Sequence, residues 1–187
     1  FWARNELKYL GHLVNGEGVK PNPEKVASLA NWHPPFEQIE VLKSEPSNPI
    51  RAVARKQIVH ECRRFLGFMN YFNRFIPQYA KLACCLHDQT ADSAPDWSSR
   101  CTAAWESMKR VLCSATMMHH PDFTLTFHVY SDEYIQAVGG VLMQEKNGKL
   151  APIAYCARKL SSAERNYTTT EQEMLGMVYC FMQWRCY

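Results

Sequence analysis

Two acidic residues in the C-terminal third of the chain have the types and setting for metal chemistry. Asp132 closes a run of alternating apolar residues, and this pattern predicts a β-strand that ends at the acid. Glu173 shares one face of a predicted helix with mostly apolar neighbours: Gly176, Met177, Cys180, Phe181 and Trp184. Two carboxylates that converge at a partly buried point repel each other unless a cation lies between them, and Mg²⁺ prefers such oxygen ligands. The pair is therefore a candidate metal site.

Asp132 and Glu173 could instead have local structural roles in a turn or a helix cap. Thr170 and Glu173 have the spacing of a helix capping box, which would make Glu173 a helix-start residue. Thr168 and Glu171 have the same spacing, and a cap there would leave Glu173 free. Asp132 could instead form an Asx turn with the two residues that follow it. Spacing alone leaves these roles and the metal site as alternatives.

The elements that would position the acids follow from periodicity and turn residues. The segment "YLGHLVNGEGVKP" alternates about Asn-Gly and Glu-Gly, as a β-hairpin does, and "KNGK" predicts a tight turn between two later strands. Polar, proline-containing loops are expected over 33–51 and 88–99. The predicted helices cover 23–32, 52–73, 78–87 and 103–112, the strands 125–132, 139–144 and 152–156, and a buried final helix 168–187.

The net charge of +3 is distributed unevenly. Residues 1–81 carry twelve Lys and Arg against seven Asp and Glu, whereas the remainder carries nine against eleven. Basic residues cluster among aromatic ones in the middle of this half: Arg51, Arg55, Lys56, Arg63, Arg64 and Arg74. Such a cluster is typical of a surface for a phosphate backbone, but a helix with a solvated basic face and an aromatic core face explains it equally simply.

Cysteine usage and hydropathy exclude several classes. The 8 Cys include no CxxC pair and no His at zinc-finger spacing, which argues against a zinc-binding or metal-storage protein. Free thiols in a reducing compartment are expected, hence an intracellular location in cytoplasm or nucleus rather than secretion. No run approaches the ~18 apolar residues of a membrane span, and the start lacks a signal-peptide layout. The absent initiator Met suggests a fragment.

Four blocks together resemble the reverse transcriptase of Ty3/gypsy-type LTR retrotransposons. They are "YLGHLVNGEGVKPNPEKVASLANWHPP", "RRFLGFMNYFNRFIPQYAKLA", "MMHHPDFTLTFHVYSDEYIQAVGGVLMQ" and "PIAYCARKLSSAERNYTTTEQEMLGMVYCFMQWRCY". The resemblance implies an α+β chain with a partial ribonuclease H-like α/β domain made of a β-meander and a helix. The implied divisions are the end of the polymerase palm at 1–31, a helical thumb at 32–90, a connection helix at 91–121 and the start of the ribonuclease H domain at 122–187.

The resemblance also implies functional residues. Asp132 and Glu173 match the first two catalytic, metal-binding carboxylates of ribonuclease H, whose two Mg²⁺ (or Mn²⁺) ions would activate water and stabilise the leaving oxygen. Nucleic-acid contacts are implied for the primer-grip hairpin, Tyr9, Leu10, Gly11 and His12, and for the thumb residues Arg63, Arg64, Asn70, Tyr71 and Arg74. The implied partners are an RNA–DNA hybrid or template–primer duplex and the rest of a polyprotein, with no membrane.

Departures from the family pattern qualify this expectation. No YxDD-like segment is present, and the other two nuclease carboxylates would lie beyond Tyr187, so the isolated chain is expected to bind nucleic acid weakly and to cleave nothing. Glu133-Tyr134 replaces the common Ala-Ser, and about twenty extra residues lie between Pro35 and Arg63. These features slightly favour the alternative of a domesticated, catalytically inactive interaction module. An open sheet edge would also favour self-association.

Overall fold

The computed structural model describes residues 4–43, 50–91, 96–134 and 136–187, which form two antiparallel sheets and six α-helices. The first sheet contains β1 (Glu6–Tyr9), β2 (His12–Asn15), β3 (Gly18–Pro21) and β4 (Met118–His119), and the second contains β5 (Phe127–Tyr134), β6 (Ala137–Lys146) and β7 (Lys149–Lys159). The helices are α1 (Pro23–Ala27), α2 (Phe36–Lys43), α3 (Ile50–Tyr71), α4 (Tyr79–Asp88), α5 (Ser99–Cys113) and α6 (Thr169–Gln183). Short 3₁₀ helices span Asn73–Phe75 and Glu164–Asn166.

The first sheet has the strand order β1-β2-β3-β4. The predicted hairpin is present as β2 and β3, whereas β1 and β4 were not predicted. Strand β1 joins β2 through Leu10 and Gly11, both with positive φ (43° and 75°), as in the mirror-image turns that suit hairpins. Leucine rarely adopts a positive φ, so the sequence did not predict a turn at Leu10 and Gly11.

A helical core joins the N-terminal elements to α5. Trp105 of α5 is fully buried and stacks on Phe65 of α3 with ring centroids 3.7 Å apart, while Trp32 meets both rings edge-on. The same cluster of buried residues extends from Val26 to Met118. Residues assigned by resemblance to palm, thumb and connection therefore share one core.

The predicted loop over 33–51 contains a helix, and this part of the prediction was wrong. Helix α2 buries Ile39 and Leu42, which are three residues apart and therefore lie on one helical face, in the same core as α3. The polar and proline residues around them concealed this short apolar stripe. Helix α3 begins at Ile50, two residues before its predicted start, and residues 44–49 lie outside the described part.

The second sheet is the predicted meander, with β6 between β5 and β7. The β6–β7 turn uses Asn147 (φ 53°) and Gly148 (φ 74°), as the "KNGK" segment predicted. Helix α6 packs on this sheet, and Cys180 and Trp184 enter its small core with Leu142 and Ile153. The α+β fold class is thereby confirmed.

The prediction that the final helix is buried on nearly every side was wrong. Its sheet-facing residues Gly176 and Cys180 are buried, and Trp184, which caps it, is buried too. A second set of apolar side chains is 40–67% exposed: Met174, Met177, Val178, Phe181 and Met182.

In the part of the chain that the structure describes, no helix combines the length and apolar character needed to span a membrane.

The start of α6 resolves the capping alternatives in favour of Thr168. Its side chain accepts a hydrogen bond from the Glu171 backbone N–H at 3.3 Å, and the Thr168 N–H donates to the Glu171 carboxylate at 2.8 Å. We expect Thr168→Ala to lower the free energy of unfolding by about 1 kcal/mol, because the Glu171 N–H loses its acceptor and the Glu171 carboxylate loses the hydrogen bond from the Thr168 hydroxyl. Chemical denaturation would measure the loss, with Thr170→Ala as the matched control. Equal losses in both variants would contradict a role for the cap.

Candidate nucleic-acid interface and nuclease-like site

Asp132 lies within β5 rather than at its end. The strand continues to Tyr134, and Asp132 pairs with Gly139 of β6. The predicted strand end and the Asx-turn alternative are therefore both wrong. The carboxylate accepts a hydrogen bond from the Nε2 of Gln78, at the N-terminal end of α4.

The structure places Asp132 and Glu173 on opposite sides of the second sheet. The Cβ of Ser131 lies 3.8 Å from the position that a Cβ on Gly176 would occupy, so the Ser131 side chain faces α6. Because side chains alternate along a strand, Asp132 faces away from α6 and toward α4. Glu173 lies on α6, one turn before Gly176, and is exposed. The helix cap uses Thr168 and Glu171, so Glu173 has no part in it. The fold nevertheless keeps Asp132 and Glu173 on opposite sides of the sheet.

This arrangement does not fit a divalent metal. Within the described ranges, no group of three or more His, Cys, Asp or Glu side chains is placed to hold a metal ion. Asp132 and Glu173 are divided by the sheet, and one Asp132 oxygen is engaged by Gln78. Metal-assisted hydrolysis needs converging oxygen ligands. No catalytic step through a metal follows from this chain's geometry.

Asp132 lines a cavity of about 180 Å³ at the junction of α4 and the second sheet. Residues at the start of α4 form one wall, and the sheet face opposite α6 forms the other. The lining side chains that surround Asp132 are Pro77, Gln78, Ala80, Lys81, Tyr130, Tyr134, Ala137, Val141, Tyr155 and Ala157. The first predicted nuclease carboxylate therefore lies in a cavity between α4 and the second sheet.

Sequence reasoning did not anticipate the contacts that join the thumb to the sheet. Gln78 precedes α4 with φ 52°, a left-handed conformation that is uncommon for a non-glycine residue. Lys81 places its Nζ 4.8 Å from the ring centroid of Tyr134, and Lys159 pairs with Asp88 at 2.8 Å. In the sequence, Gln78 and Lys81 follow Pro77, and this pattern predicted the start of a helix. It did not predict that Gln78 would bind Asp132.

The predicted primer-grip and thumb residues meet at the β1–β2 turn. Tyr9 and Leu10 are 61% and 68% exposed at its tip. The Leu10 carbonyl accepts hydrogen bonds from the Tyr71 hydroxyl at the end of α3 and from His12 Nδ1, the latter at 2.9 Å. Gly11 completes the turn with positive φ. Non-local contacts therefore hold the turn against the thumb.

His12 packs inside an aromatic cluster instead of pointing into solvent. Its ring centroid lies 5.3 Å from Tyr71, 5.4 Å from Phe72 and 5.4 Å from Phe75. Burial lowers the pKa of His12, the hydrogen bond to the Leu10 carbonyl opposes that shift, and the nearby charge of Arg74 adds to it. A neutral imidazole thus donates to Leu10 and supports the turn, which makes His12 a positioning residue.

The predicted thumb arginines divide into supporting and outward-facing groups. Arg63 donates to the Thr90 carbonyl at 3.1 Å, and Arg64 donates to Glu61 at 2.9 Å while its guanidinium lies 4.8 Å from the Trp32 ring centroid. Arg74 is exposed beside Phe75, and Asn70 and Tyr71 are exposed near it. Arg63 and Arg64 are therefore engaged by other residues of the chain, and phosphate binding by Arg74 stays a prediction.

An ion pair ties β7 to the segment before α6. Arg158 donates two hydrogen bonds of 2.8 Å to the two oxygens of Glu164, and its guanidinium lies 5.2 Å from the ring centroid of Tyr179. The hydrogen bond from Arg158 is the main reason that the pKa of Glu164 falls from 4.5 to about 2, with further contribution from the Ser161 N–H.

The Glu164 pair predicts a specific dependence of stability on pH. Because the folded-state pKa is lowered, the carboxylate stabilises the fold above its ordinary value of 4.5, and this contribution is lost as pH falls toward about 2. We expect the thermal midpoint of Glu164→Gln to fall less steeply than that of the wild type across this window. Exposed Glu145→Gln is the control and should retain the wild-type slope. Identical slopes for Glu164→Gln and wild type would refute the prediction.

Comparison with known proteins gives a family match and relatives. Residues 97–187 match the family model described as an RNase H-like domain found in reverse transcriptase. The chain is 31% identical to the retrovirus-related Pol polyprotein from transposon opus of Drosophila melanogaster, over 97% of this chain and 17% of that protein. It is 28% identical to the transposon Tf2-3 polyprotein of Schizosaccharomyces pombe, over 98% of this chain and 12% of that protein.

Solved structures support the same fold. The foamy viral protease-reverse transcriptase in complex with RNA/DNA hybrid aligns over 96% of this chain and 22% of that chain, with TM-score 0.67 and 19% identity. The structure in complex with dsDNA aligns over 96% of this chain and 34% of that chain, with TM-score 0.67 and 18% identity. Of the two transposon polyproteins named above, the chain spans less than a fifth of the length. The predicted resemblance to gypsy-type Pol polyproteins is confirmed.

Proposed function

We propose that this chain, whose residues 97–187 are an RNase H-like domain of the kind found in reverse transcriptase, holds an RNA–DNA hybrid or template–primer duplex as part of a retrotransposon Pol polyprotein. The observation that carries the proposal is the contact between the β1–β2 turn and the end of α3. It brings Tyr9 and Leu10 next to Tyr71, with Arg74 close to His12. The predicted primer grip and thumb thus form one surface, called here the turn–thumb surface: Tyr9, Leu10, Asn70, Tyr71 and Arg74.

Each part of the turn–thumb surface has a suitable chemistry. Exposed Tyr9 and Tyr71 offer rings for stacking on bases or sugars, and Leu10 offers an apolar tip. Arg74 and Asn70 can donate hydrogen bonds to phosphate oxygens. Hydrogen bonds to the Leu10 carbonyl hold the turn in place before any duplex arrives, which reduces the entropy lost on binding.

For the parent polyprotein we infer RNA-directed DNA polymerase and ribonuclease H activities. Carboxylate-based nuclease sites favour hard divalent ions, so Mg²⁺ (or Mn²⁺) is the metal we infer for it. Asp132 and Glu173 are the residues of this chain that match the nuclease carboxylates by resemblance, although the sheet separates them in this structure. Other parts of the polyprotein are the inferred protein partners, and pairing of chains through the edge strand β5 remains a prediction.

A catalytically inactive, domesticated module is not favoured, because the relatives are transposon polyproteins. All 8 cysteines are free thiols, which supports the inferred intracellular location.

A salt-dependent binding titration tests the proposed function. The chain is titrated with a fluorescent RNA–DNA hybrid at several salt concentrations, as wild type and as Arg74→Gln. We expect a clear negative salt slope that shrinks by about 0.9 in the variant, the value for one lost phosphate contact. Lys149→Gln, an exposed charge change at the start of β7, is the matched control and should keep the wild-type slope.

Arg63→Gln provides a second comparison, because Arg63 is bound to the Thr90 carbonyl. It should lower stability while changing the salt slope less than Arg74→Gln. A folded wild-type chain without affinity for the hybrid would overturn the proposed function.

A further inference from the structure

Two cysteine sulfurs meet where α6 packs on the second sheet. Cys156 lies on β7 and Cys180 on α6, and their Sγ atoms are 3.8 Å apart. Cys180 is completely buried, whereas Cys156 is only half-buried. The pair therefore lies at the contact between helix and sheet, with one member near solvent.

Gly140 permits this approach. It is the register partner of Cys156 on β6, and a Cβ at Gly140 would lie 2.6 Å from the Cys180 Sγ. Any larger residue there would push α6 outward and separate the sulfurs. The glycine thus leaves the space in which Cys180 sits on the sheet, with its Sγ 3.6 Å from the Gly139 carbonyl oxygen.

The two thiols differ in acidity in a way that suits oxidation. The hydrogen bond with Cys156 lowers the pKa of Cys180, against the opposing effect of burial. The same hydrogen bond, together with burial, raises the pKa of Cys156. The more acidic thiol is thus the buried Cys180, whereas solvent reaches the half-buried Cys156. Thiolates, not thiols, are the form that oxidants attack.

We propose that Cys156 and Cys180 are a site of oxidative cross-linking, at which a peroxide converts the two thiols to a disulfide that joins β7 to α6. The first thiolate attacks a peroxide oxygen, the O–O bond breaks, and hydroxide leaves and takes up a proton as a sulfenic acid forms. The second thiol attacks that sulfur, the S–S bond forms, the S–O bond breaks and water leaves. Two thiols and one hydrogen peroxide give one disulfide and two waters.

The other cysteines supply internal comparisons. Cys113 and Cys186 are exposed, so they would react without forming this link. Cys85 on α4 and Cys101 on α5 also share a side-chain hydrogen bond and form a second pair of neighbouring thiols. The Cys156–Cys180 pair differs because it joins a helix to a sheet, with the two Sγ atoms 3.8 Å apart.

A bond between these sulfurs would restrict α6 on the sheet. The cross-link closes the loop that contains the Arg158–Glu164 ion pair and the Thr168 cap. Constraining that loop lowers the entropy of the unfolded chain. The oxidised protein should therefore have a higher thermal midpoint than the reduced protein, and α6 should resist proteolysis longer.

Peptide mapping after peroxide treatment tests the proposal. The full chain carries Cys113→Ser and Cys186→Ser, which remove the exposed thiols, and is treated in its folded state with limiting hydrogen peroxide. Remaining thiols are alkylated, and the chain is digested without reduction and analysed by mass spectrometry. We expect a peptide pair joined through Cys156 and Cys180 that separates on reduction. Cys156→Ser should abolish it, and Cys85→Ser should retain it.

Three outcomes would overturn the proposal. They are full alkylation of both cysteines after peroxide, a link between other cysteines, and the same yield from protein unfolded in urea, which would make the fold irrelevant. If Cys156→Ser fails to fold, the peptide map of the chain that carries only Cys113→Ser and Cys186→Ser still tests the proposal, because the linked peptide is identified in that chain.

Discussion

Replacing Trp105 by Ala should lower the free energy of unfolding by about 3 to 5 kcal/mol, the range for deleting a large aromatic side chain from a core. Trp105 has no exposed surface and stacks on Phe65 at 3.7 Å between ring centroids. Its indole N–H also donates to the Trp32 carbonyl at 3.1 Å. The change would therefore leave a cavity between α3 and α5 and remove a hydrogen bond. Denaturant unfolding followed by circular dichroism measures the loss.

Phe181→Ala is the matched control for this experiment. Phe181 is also a large aromatic residue on a helix, but it is 62% exposed on α6. Its truncation should change the free energy of unfolding by less than about 0.5 kcal/mol, as for ordinary surface positions. If both variants lost similar stability, the shared helical core would not be the main source of stability.

Gly18→Ala should separate β4 from β3 at a cost of about 2 to 3 kcal/mol, because the added methyl meets backbone rather than a movable side chain. A Cβ at Gly18 would lie 2.1 Å from the carbonyl oxygen of Met118. The β3–β4 pairing is the link that returns the chain after α5 to the first sheet, through Gly18 and His119. Thermal unfolding and amide hydrogen exchange at Met118 would report the loss.

Gly16→Ala offers a control two residues away in the same hairpin. A Cβ at Gly16 would have nothing within 4 Å, and its φ is not positive. Alanine there should leave stability unchanged or raise it slightly, because the unfolded chain loses conformational freedom. A Gly18→Ala variant as stable as Gly16→Ala would show that β4 does not pack on β3 in solution.

The position of Asp132 has a functional consequence for the parent protein. In this arrangement the thumb covers the sheet face that carries the carboxylate, and Gln78 occupies one of its oxygens. Movement of α4 alone would free the Asp132 carboxylate but would not bring Glu173 to the same face, because the face of a strand on which a side chain lies is set by strand register.

Several features could be predicted from the sequence because they depend on neighbouring residues. The Thr168–Glu171 cap forms between residues three apart, and the Asn147–Gly148 turn uses residues that tolerate positive φ. The three-stranded meander follows from alternation and that turn. The segments that the resemblance assigns to primer grip and thumb are in contact through Tyr71 and Leu10, while the assignments themselves stay predictions.

Other features were decided only by the tertiary structure. Strand β4 has two residues and exists because β3, about a hundred residues earlier, supplies its hydrogen-bonding partner. Leu10 accepts a left-handed conformation because distant Tyr71 bonds its carbonyl. The spacing of Asp132 and Glu173 in the sequence would allow their carboxylates to meet at one site. Which face of β5 carries Asp132, and whether α6 lies on that face, depends on strand register and on where α6 packs. Periodicity can identify a face, whereas only the packed chain determines what lies against it.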